Sequence, residues 1–336
     1  MKCPICASEK VTVIYSGQPG YQEPQTFDIL ACPDCNTSFV DADGIDTGPI
    51  YDSIYKNARR VPGYSRYIGY ARDALKASSP LDYLANAETV YWAIKQRLET
   101  SGKPLDAPIL EVGSGLGYLT YALNKSGRNV VGIDISDTAV QNARKRYGGS
   151  FVRAEVGSYS ETHAGQYDFV IATEVIEHIG NIYPFLESCI RLLKPGGELL
   201  VSTPNRDSCA SDVLWETEAP PVHFWWFSAR SFQAIAKRLS CALTFVDMSS
   251  YHDAPFWTLC TIPNSPCVTR WSTLDASGNL VARLRPRPFL IRAWGKLLRL
   301  ARARFAPPTP KVATRESGVP CGPSPTLCAV FKKNRV

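Results

Sequence analysis

The stretch Ile109-Leu110-Glu111-Val112-Gly113-Ser114-Gly115-Leu116-Gly117 decides the fold. Apolar strand-type residues run straight into a turn with glycine at three alternate positions, and helix-forming residues then run from Tyr118 until Gly127 stops them. Strand, glycine turn and helix in that order form the first half of a βαβ unit. The alternation continues outward. Residues 129–133 form a second apolar strand ending at Asp134, with Ser136 placed to cap the next helix. Residues 151–153 and 169–172 read as two further short strands, residues 181–193 as a helix, Lys194-Pro195-Gly196-Gly197 as a turn and residues 198–202 as a fifth strand. Such alternation predicts an α/β fold with a parallel, doubly wound sheet, whose ligands lie beyond the carboxyl ends of the strands. Upstream, residues 51–72 are rich in Tyr and Arg, and residues 81–100 read as one helical run.

The front of the chain has a different pattern. Cys3-Pro4-Ile5-Cys6 and Cys32-Pro33-Asp34-Cys35 are two C-x2-C pairs separated by 25 residues. Each pair brings two thiolates to one side of a tight turn, and two such knuckles close a tetrahedral four-cysteine zinc site. Residues 11–15 and 26–31 between them are β-rich, so residues 1–42 are expected to form a zinc ribbon with Cys3, Cys6, Cys32 and Cys35 as ligands. Redox chemistry at these pairs is disfavoured, because no βαβ pattern adjoins them. Nucleic-acid binding is disfavoured too: the first 40 residues hold two lysines and no arginine.

Composition bounds the rest. The chain has 336 residues, 45% of them apolar and 20% charged, which suits a globular enzyme and argues against a disordered chain. Eleven cysteines, an odd number, disfavour a complete disulfide framework. Met1-Lys2-Cys3-Pro4 offers no signal-peptide core, and no stretch approaches the roughly 20 apolar residues that span a bilayer. A cytoplasmic location with reduced thiols is expected. The formal net charge of +6 is unevenly placed: residues 281–311 carry nine Arg or Lys and no acid, leaving the remainder slightly acidic. Within them, residues 289–305 read as a basic amphipathic helix with Ile291, Trp294, Leu298 and Phe305 at helical spacing. It is either a helix docked on its own domain, a lid near an anionic acceptor, or a peripheral contact with an anionic membrane surface.

The glycine turn departs from the dinucleotide fingerprint G-x-G-x-x-G, because Tyr118 stands at its sixth position. A G-x-G-x-G turn after an acidic strand residue instead resembles motif I of class I S-adenosylmethionine-dependent methyltransferases. Asp134, Glu155, the run from Tyr167 through His178 and the run from Leu192 to Val201 are similar to that family's later motifs, in order, over about residues 105–250. Glu174-Val175-Ile176-Glu177-His178 and Thr203-Pro204-Asn205 resemble the subgroup that includes the ubiquinone-pathway O-methyltransferases. The N-terminal ribbon and the spacing of Tyr51, Tyr55, Tyr64 and Tyr67 resemble bacterial methyltransferases of sugars and glycans.

The resemblance implies a seven-stranded Rossmann-like methyltransferase domain at residues 105–250. A Tyr-rich connector with helices at 43–104 precedes it. A basic insertion at 251–325 follows a sixth strand at 240–247, and residues 326–334 hold a last, antiparallel strand. The implied cofactor is S-adenosylmethionine, held by Glu111, Gly113, Ser114, Gly115, Gly117, Asp134, Ile135, Glu155 and Thr173, with Asp134 on the ribose hydroxyls and Glu155 on the adenine. Zinc in the ribbon is structural.

Methyl transfer to a hydroxyl releases a proton, so a general base is sought. His178 follows the fourth strand, and His223 lies in the aromatic segment Val222-His223-Phe224-Trp225-Trp226-Phe227, which in the resembled subgroup forms part of the acceptor wall. Each also has a plain structural reading, His178 as an ordering residue at a helix start and His223 as a packed core residue. Glu174, Glu177 and His178 fall on one face if a helix begins there, and mixed oxygen and nitrogen ligation of a divalent metal is then a third reading. The expected activity is methylation of a small-molecule or glycan-like acceptor, at oxygen. The alternatives are a quinone-pathway-like enzyme at the membrane surface and an RNA methyltransferase, the latter weakened by the acidic ribbon.

Overall fold

The structure, a computed structural model, describes residues 1–41, 43–61, 63–208, 219–252, 271–281 and 324–334. The basic helix expected at 289–305 lies outside the described residues.

The chain begins with strands β1 (Thr12–Pro19), β2 (Thr26–Cys32) and β3 (Thr37–Phe39). Helices α1 (Gly48–Lys56), α2 (Ser65–Asp73), α3 (Pro80–Ala87) and α4 (Thr89–Thr100) follow. The single helical run expected over 81–100 is therefore two helices. Ser79 caps the first by accepting from the Asp82 N–H, and Glu88 adopts an extended backbone that separates them. The Glu88 carboxylate holds that break in place, accepting from the Tyr70 hydroxyl at 2.7 Å and pairing with Arg66 at 2.8 Å.

The remaining elements are β4 (Pro108–Val112), α5 (Tyr118–Lys125), β5 (Asn129–Asp134), α6 (Asp137–Tyr147), β6 (Phe151–Arg153), α7 (Val156–Thr162), β7 (Tyr167–Thr173), α8 (Ile182–Leu192), β8 (Leu193–Pro204), β9 (Trp225–Trp226), α9 (Ala229–Arg238), β10 (Ala242–Phe245), α10 (Ser249–His252) and β11 (Thr326–Lys332). The strands form a seven-stranded sheet in the order β10-β11-β8-β7-β4-β5-β6, with β11 antiparallel to both neighbours and the β8-β7-β4-β5-β6 pairs parallel. The expected α/β doubly wound sheet of seven strands is what the chain forms. The order reverses on either side of β4, so the crevice between the carboxyl ends of β4 and β7 is the topological switch point where such sheets bind ligands. Residues 194–197 do not form a separate turn. They lie within β8, where Gly196 at φ +71° and a register shift opposite Tyr167 make an irregular start to the strand.

The ribbon is not a separate bead. Its sheet has four strands in the order β1-β2-β3-β9, the fourth supplied from beyond the fifth strand of the main sheet, with Ser38 opposite Trp226 and Phe39 opposite Trp225. Cys3, Ile5, Cys32, Cys35 and Phe39 share one buried cluster with Val170, Leu186, Leu199 and Phe232 of the main domain. About 40 residues cannot bury enough apolar surface alone, and this one borrows the larger core.

One buried ion pair ties the preceding helices to the sheet. Arg97 of α4 donates to both oxygens of Glu198 in β8, at 2.8 and 2.6 Å, with both side chains buried. Arg97→Ala would leave a buried carboxylate without its partner and should cost about 3–5 kcal/mol of stability, measured as a fall in the urea midpoint at unchanged slope.

Candidate functional site

The turn after β4 is shaped by backbone that only glycine adopts readily: Gly113, Gly115 and Gly117 sit at φ +75°, +48° and +78°. A Cβ on Gly113 would come within 2.6 Å of the Val175 side chain, whereas one on Gly115 would meet nothing closer than 4.0 Å. Gly113 thus lets the turn pack against the segment after β7, and Gly115 bares its backbone to open space at the switch point. The turn is pinned by Asp134 at the end of β5. One carboxylate oxygen accepts the Gly115 N–H at 2.8 Å and the other the Ser136 N–H at 2.8 Å, which leaves acceptor capacity on the carboxylate for a ligand hydroxyl. Beside it Ile135 is 72% exposed, an apolar side chain left uncovered by the described residues.

The other residues expected at the cofactor site fall as follows. Glu111 is buried, accepts a very short hydrogen bond from the Thr120 hydroxyl, and has its carboxyl raised by burial to about 8. The Ser114 hydroxyl is buried with no hydrogen-bond partner among the described residues, and its Cβ lies close against Gly132. Glu155 is exposed and folds back to cap α7, accepting from the Ser158 N–H at 2.9 Å. Thr173 ends β7 opposite Ser202.

Immediately beyond stands the segment expected to carry the proton. The residues after β7 do not continue as an α-helix: Ile176–His178 is a single 3-10 turn, and Glu174 is held at φ +54°. Glu174 therefore does not share a helix face with Glu177 and His178, which corrects that expectation. Desolvation raises the Glu174 carboxyl to about 7, with the Arg66 charge opposing and the Ser202 hydroxyl donating to it at 3.2 Å. The third member of the cluster is His223. Glu177, His178 and His223 each offer a ligand atom, all within 4.8 Å of one another.

His178 Nδ1 donates to the Val222 carbonyl, so the neutral ring carries its lone pair on Nε2. Burial depresses His178 to about 4 against the opposing pull of the Val222 and Glu174 carbonyls, and depresses His223 well below the usual imidazole range. Burial thus favours the neutral form of both rings, and the Nε2 lone pair of His178 is left to face a ligand. Their planes meet edge to face at 4.7 Å, and Tyr51 from α1 stands edge-on to His178 at 6.0 Å. Among the described residues, buried His223 Nδ1 has no hydrogen-bond partner. His163 is remote from this group, stacked on Tyr159.

At the front of the chain, the four cysteine sulfurs lie within 4.8 Å of one another, with Cys3 and Cys35 at 3.6 Å and Cys6 and Cys32 at 3.5 Å. These separations are far longer than a disulfide and close to the edge of a tetrahedron built on zinc–sulfur bonds of about 2.3 Å. Cys3 and Cys35 share one proton between their sulfurs, which lowers the Cys35 thiol and raises that of Cys3.

Comparison with known proteins agrees with this geometry. Residues 83–244 match the methyltransferase domain family. The ubiquinone biosynthesis O-methyltransferase of Erwinia tasmaniensis is 36% identical over 105 residues, 30% of this chain and 43% of that protein. The mitochondrial ubiquinone biosynthesis O-methyltransferase of Rattus norvegicus is 39% identical over 116 residues, 31% of this chain and 33% of that protein. The matched segments span less than half the length of these relatives. A S-adenosylmethionine-dependent methyltransferase structure from Thermotoga maritima overlays with a TM-score of 0.46 at 16% identity, covering 84% of this chain and all of that one, a likeness too slight to argue from. Over residues 83–244, then, the chain is similar to methyltransferase domains.

Two features of the site escape a reading of the sequence. Tyr51 was legible only as part of a tyrosine-rich connector, and Val222 carried no signal, because its contribution is a backbone carbonyl. Gly113→Ala combines an unfavourable φ with the Val175 clash and should weaken S-adenosylmethionine binding by at least about tenfold by titration calorimetry, which is about 1.4 kcal/mol. Gly165→Ala, at φ +70° with open space around it, should leave that affinity intact.

Proposed function

We propose that this chain transfers the methyl group of S-adenosylmethionine to a hydroxyl of a small-molecule acceptor. The observation that carries the reading is the placement of two neutral histidines, one with its tautomer fixed, beside the switch-point crevice. When bound, S-adenosylmethionine would be held by Glu111, Gly113, Ser114, Gly115, Gly117, Asp134, Ile135 and Thr173, with the remaining acceptor capacity of Asp134 available to its ribose hydroxyls. Glu155 reaches the adenine by giving up its cap on α7. In the transfer, the acceptor O–H loses its proton to His178 Nε2 or to His223, the new O–C bond forms as the S–C bond breaks, and S-adenosylhomocysteine leaves. Burial lowers the basicity of both imidazoles, so the histidine that takes the proton acts as the new O–C bond forms and the acceptor oxygen becomes acidic.

Oxygen as the methylated atom rests on the relatives, which are named O-methyltransferases. A phenol of the quinone-pathway type and a sugar hydroxyl in a glycan-like acceptor both present that group, and the rings of Tyr51 and Tyr55 of α1 lie 6.4 Å apart beside His178. The domain plan read from the sequence is retained: a ribbon at 1–42, a connector at 43–104, the catalytic domain at 105–250, an insertion at 251–325 and a closing strand at 326–334. Zinc at Cys3, Cys6, Cys32 and Cys35 is structural, supported by the tetrahedral spacing of the sulfurs. No helix among the described residues is long and apolar enough to cross a membrane.

One observation favours a second reading, in which Glu177, His178 and His223 hold a divalent cation that orients the acceptor oxygen. Titration of the full chain with Mg²⁺ or Mn²⁺ decides it: binding lost in Glu177→Gln supports the cation, and absence of binding in the parent leaves the histidines as bases. His178→Ala and His223→Ala should each lower turnover by roughly 10²–10⁴-fold while S-adenosylmethionine affinity stays within about threefold. Near-normal turnover in both variants would contradict the assignment.

A further inference from the structure

We propose that the four-cysteine ribbon is a positioning device for the histidine pair, clamping residues 219–227 so that the Val222 carbonyl fixes the His178 tautomer and His223 stays edge-on to it. The inference rests on the zinc and methyl-transfer readings above, and it concerns what the ribbon does for the reaction.

Residues 219–227 have two faces, and each is fully engaged. On one face is the ribbon. The Tyr21 N–H, in the connection between β1 and β2, donates to the Pro220 carbonyl, and the Tyr21 ring packs with Ala219, Val222 and Ile54. At the other end of the segment, β3 pairs with β9, the Val40 N–H donates to the Phe224 carbonyl at 3.0 Å, and Phe39 stacks on Trp225 with ring centres 5.6 Å apart. On the opposite face is the turn that carries the catalytic residues. His178 Nδ1 donates to the Val222 carbonyl, the Phe224 N–H donates to the Glu177 carbonyl at 2.8 Å, and Trp225 Nε1 donates to the Ile179 carbonyl at 2.7 Å. A single short stretch of backbone therefore hands the geometry of the ribbon to His178 and, one residue on from Val222, to His223.

The strands that make this transfer are too short to hold their own register. β3 has three residues and β9 two. What fixes them is the second cysteine knuckle: β2 ends at Cys32 and β3 starts two residues after Cys35. Cys35 is further tied to the far end of the clamped segment. Its carbonyl accepts from the Ser228 hydroxyl at 2.9 Å, and its sulfur lies 3.1 Å from Thr37 Oγ1, which in turn lies 2.6 Å from Ser231 Oγ at the start of α9. A metal binding the four thiolates supplies the rigidity that so small a sheet lacks. The orientation of a histidine by the carbonyl bonded to its other nitrogen is the usual way a protein selects an imidazole tautomer. Here that carbonyl belongs to the strand the ribbon holds. Cys35, Thr37 and the β3 strand are accordingly positioning elements, while the S-adenosylmethionine residues on β4 and β5 have no share in the clamp.

Histidine-selective ¹⁵N NMR of the zinc-loaded full chain tests this without knowledge of the acceptor, since the chain has only four histidines. In the parent, His178 should show a single neutral tautomer protonated at Nδ1. Removing zinc through Cys6→Ser should shift or broaden the His178 and His223 signals, leave His163 unchanged, and leave S-adenosylmethionine affinity within about threefold by calorimetry. Unchanged His178 and His223 signals in the zinc-free protein would overturn the proposal. So would parallel loss of the His163 signal and of cofactor binding from a variant that still folds, because the ribbon would then be a general stabiliser. Should Cys6→Ser fail to fold, Thr37→Val keeps all four thiols and is expected to shift the same two signals, with Thr37→Ser restoring them; no shift in Thr37→Val would equally sink the idea. Failure of the parent to bind S-adenosylmethionine would count against the function itself and not against the clamp.

Discussion

The hydrogen bond from the Gly115 N–H to the Asp134 carboxylate is the constraint from which the site is built. It joins the turn after β4 to the end of β5, across the parallel pair that runs from Pro108 opposite Asn129 to Val112 opposite Ile133. With the turn pinned there, three glycines can hold left-handed backbone without a side chain closing the crevice, and Gly113 can lie against Val175. The contact with Val175 matters because the next residues are the 3-10 turn that carries Glu177 and His178. The cofactor turn and the start of the segment that carries His178 thus lie side by side, while the His178 ring itself is oriented by the Val222 carbonyl.

The second structural theme is economy in a chain that places a small ribbon before a large sheet. Cys3, Ile5 and Phe39 complete the core of the main domain on one side, and β9 leaves the main domain to complete the ribbon sheet. Neither unit is finished without the other. This explains why the aromatic segment 224–227, which holds two tryptophans and two phenylalanines, is buried throughout despite lying outside the seven-stranded sheet. Its rings fill the seam between the two sheets, Trp225 against Phe39 and Phe227 against Phe232. The described part of the later insertion returns to the same seam: the Thr273 and Leu274 N–H groups both donate to the Tyr21 carbonyl. The ribbon tip, α1 and the insertion therefore meet behind the His178 and His223 pair.

Much of this could be read from residues alone. The strand residues 109–112 and 129–133 are apolar and continuous because both faces of a parallel sheet are covered, so their pattern survives without tertiary knowledge. The C-x2-C pairs were equally plain, since ligand spacing is local. What could not be read was long-range pairing. β9 is two residues long, too short to carry a periodicity, and its partner β3 lies nearly 190 residues away. The break at Glu88 was hidden because propensity favours helix on both sides, and the extended residue between them is stabilised by Tyr70 and Arg66 from another helix. The grouping of Glu174 with Glu177 and His178 depends on a helix starting at Glu174, and the chain instead takes a positive φ there followed by a 3-10 turn. His223 was singled out as a candidate, but its meeting with His178 depends on the clamp and leaves no trace in spacing.

Every role proposed for the site requires S-adenosylmethionine in the switch-point crevice. Titration calorimetry of the full, zinc-loaded chain with S-adenosylmethionine and, separately, with NAD tests that most directly. One-to-one binding of S-adenosylmethionine with micromolar affinity, of the order of −8 kcal/mol, and no heat with NAD is the predicted result. Absence of S-adenosylmethionine binding, or tighter binding of NAD, would contradict it.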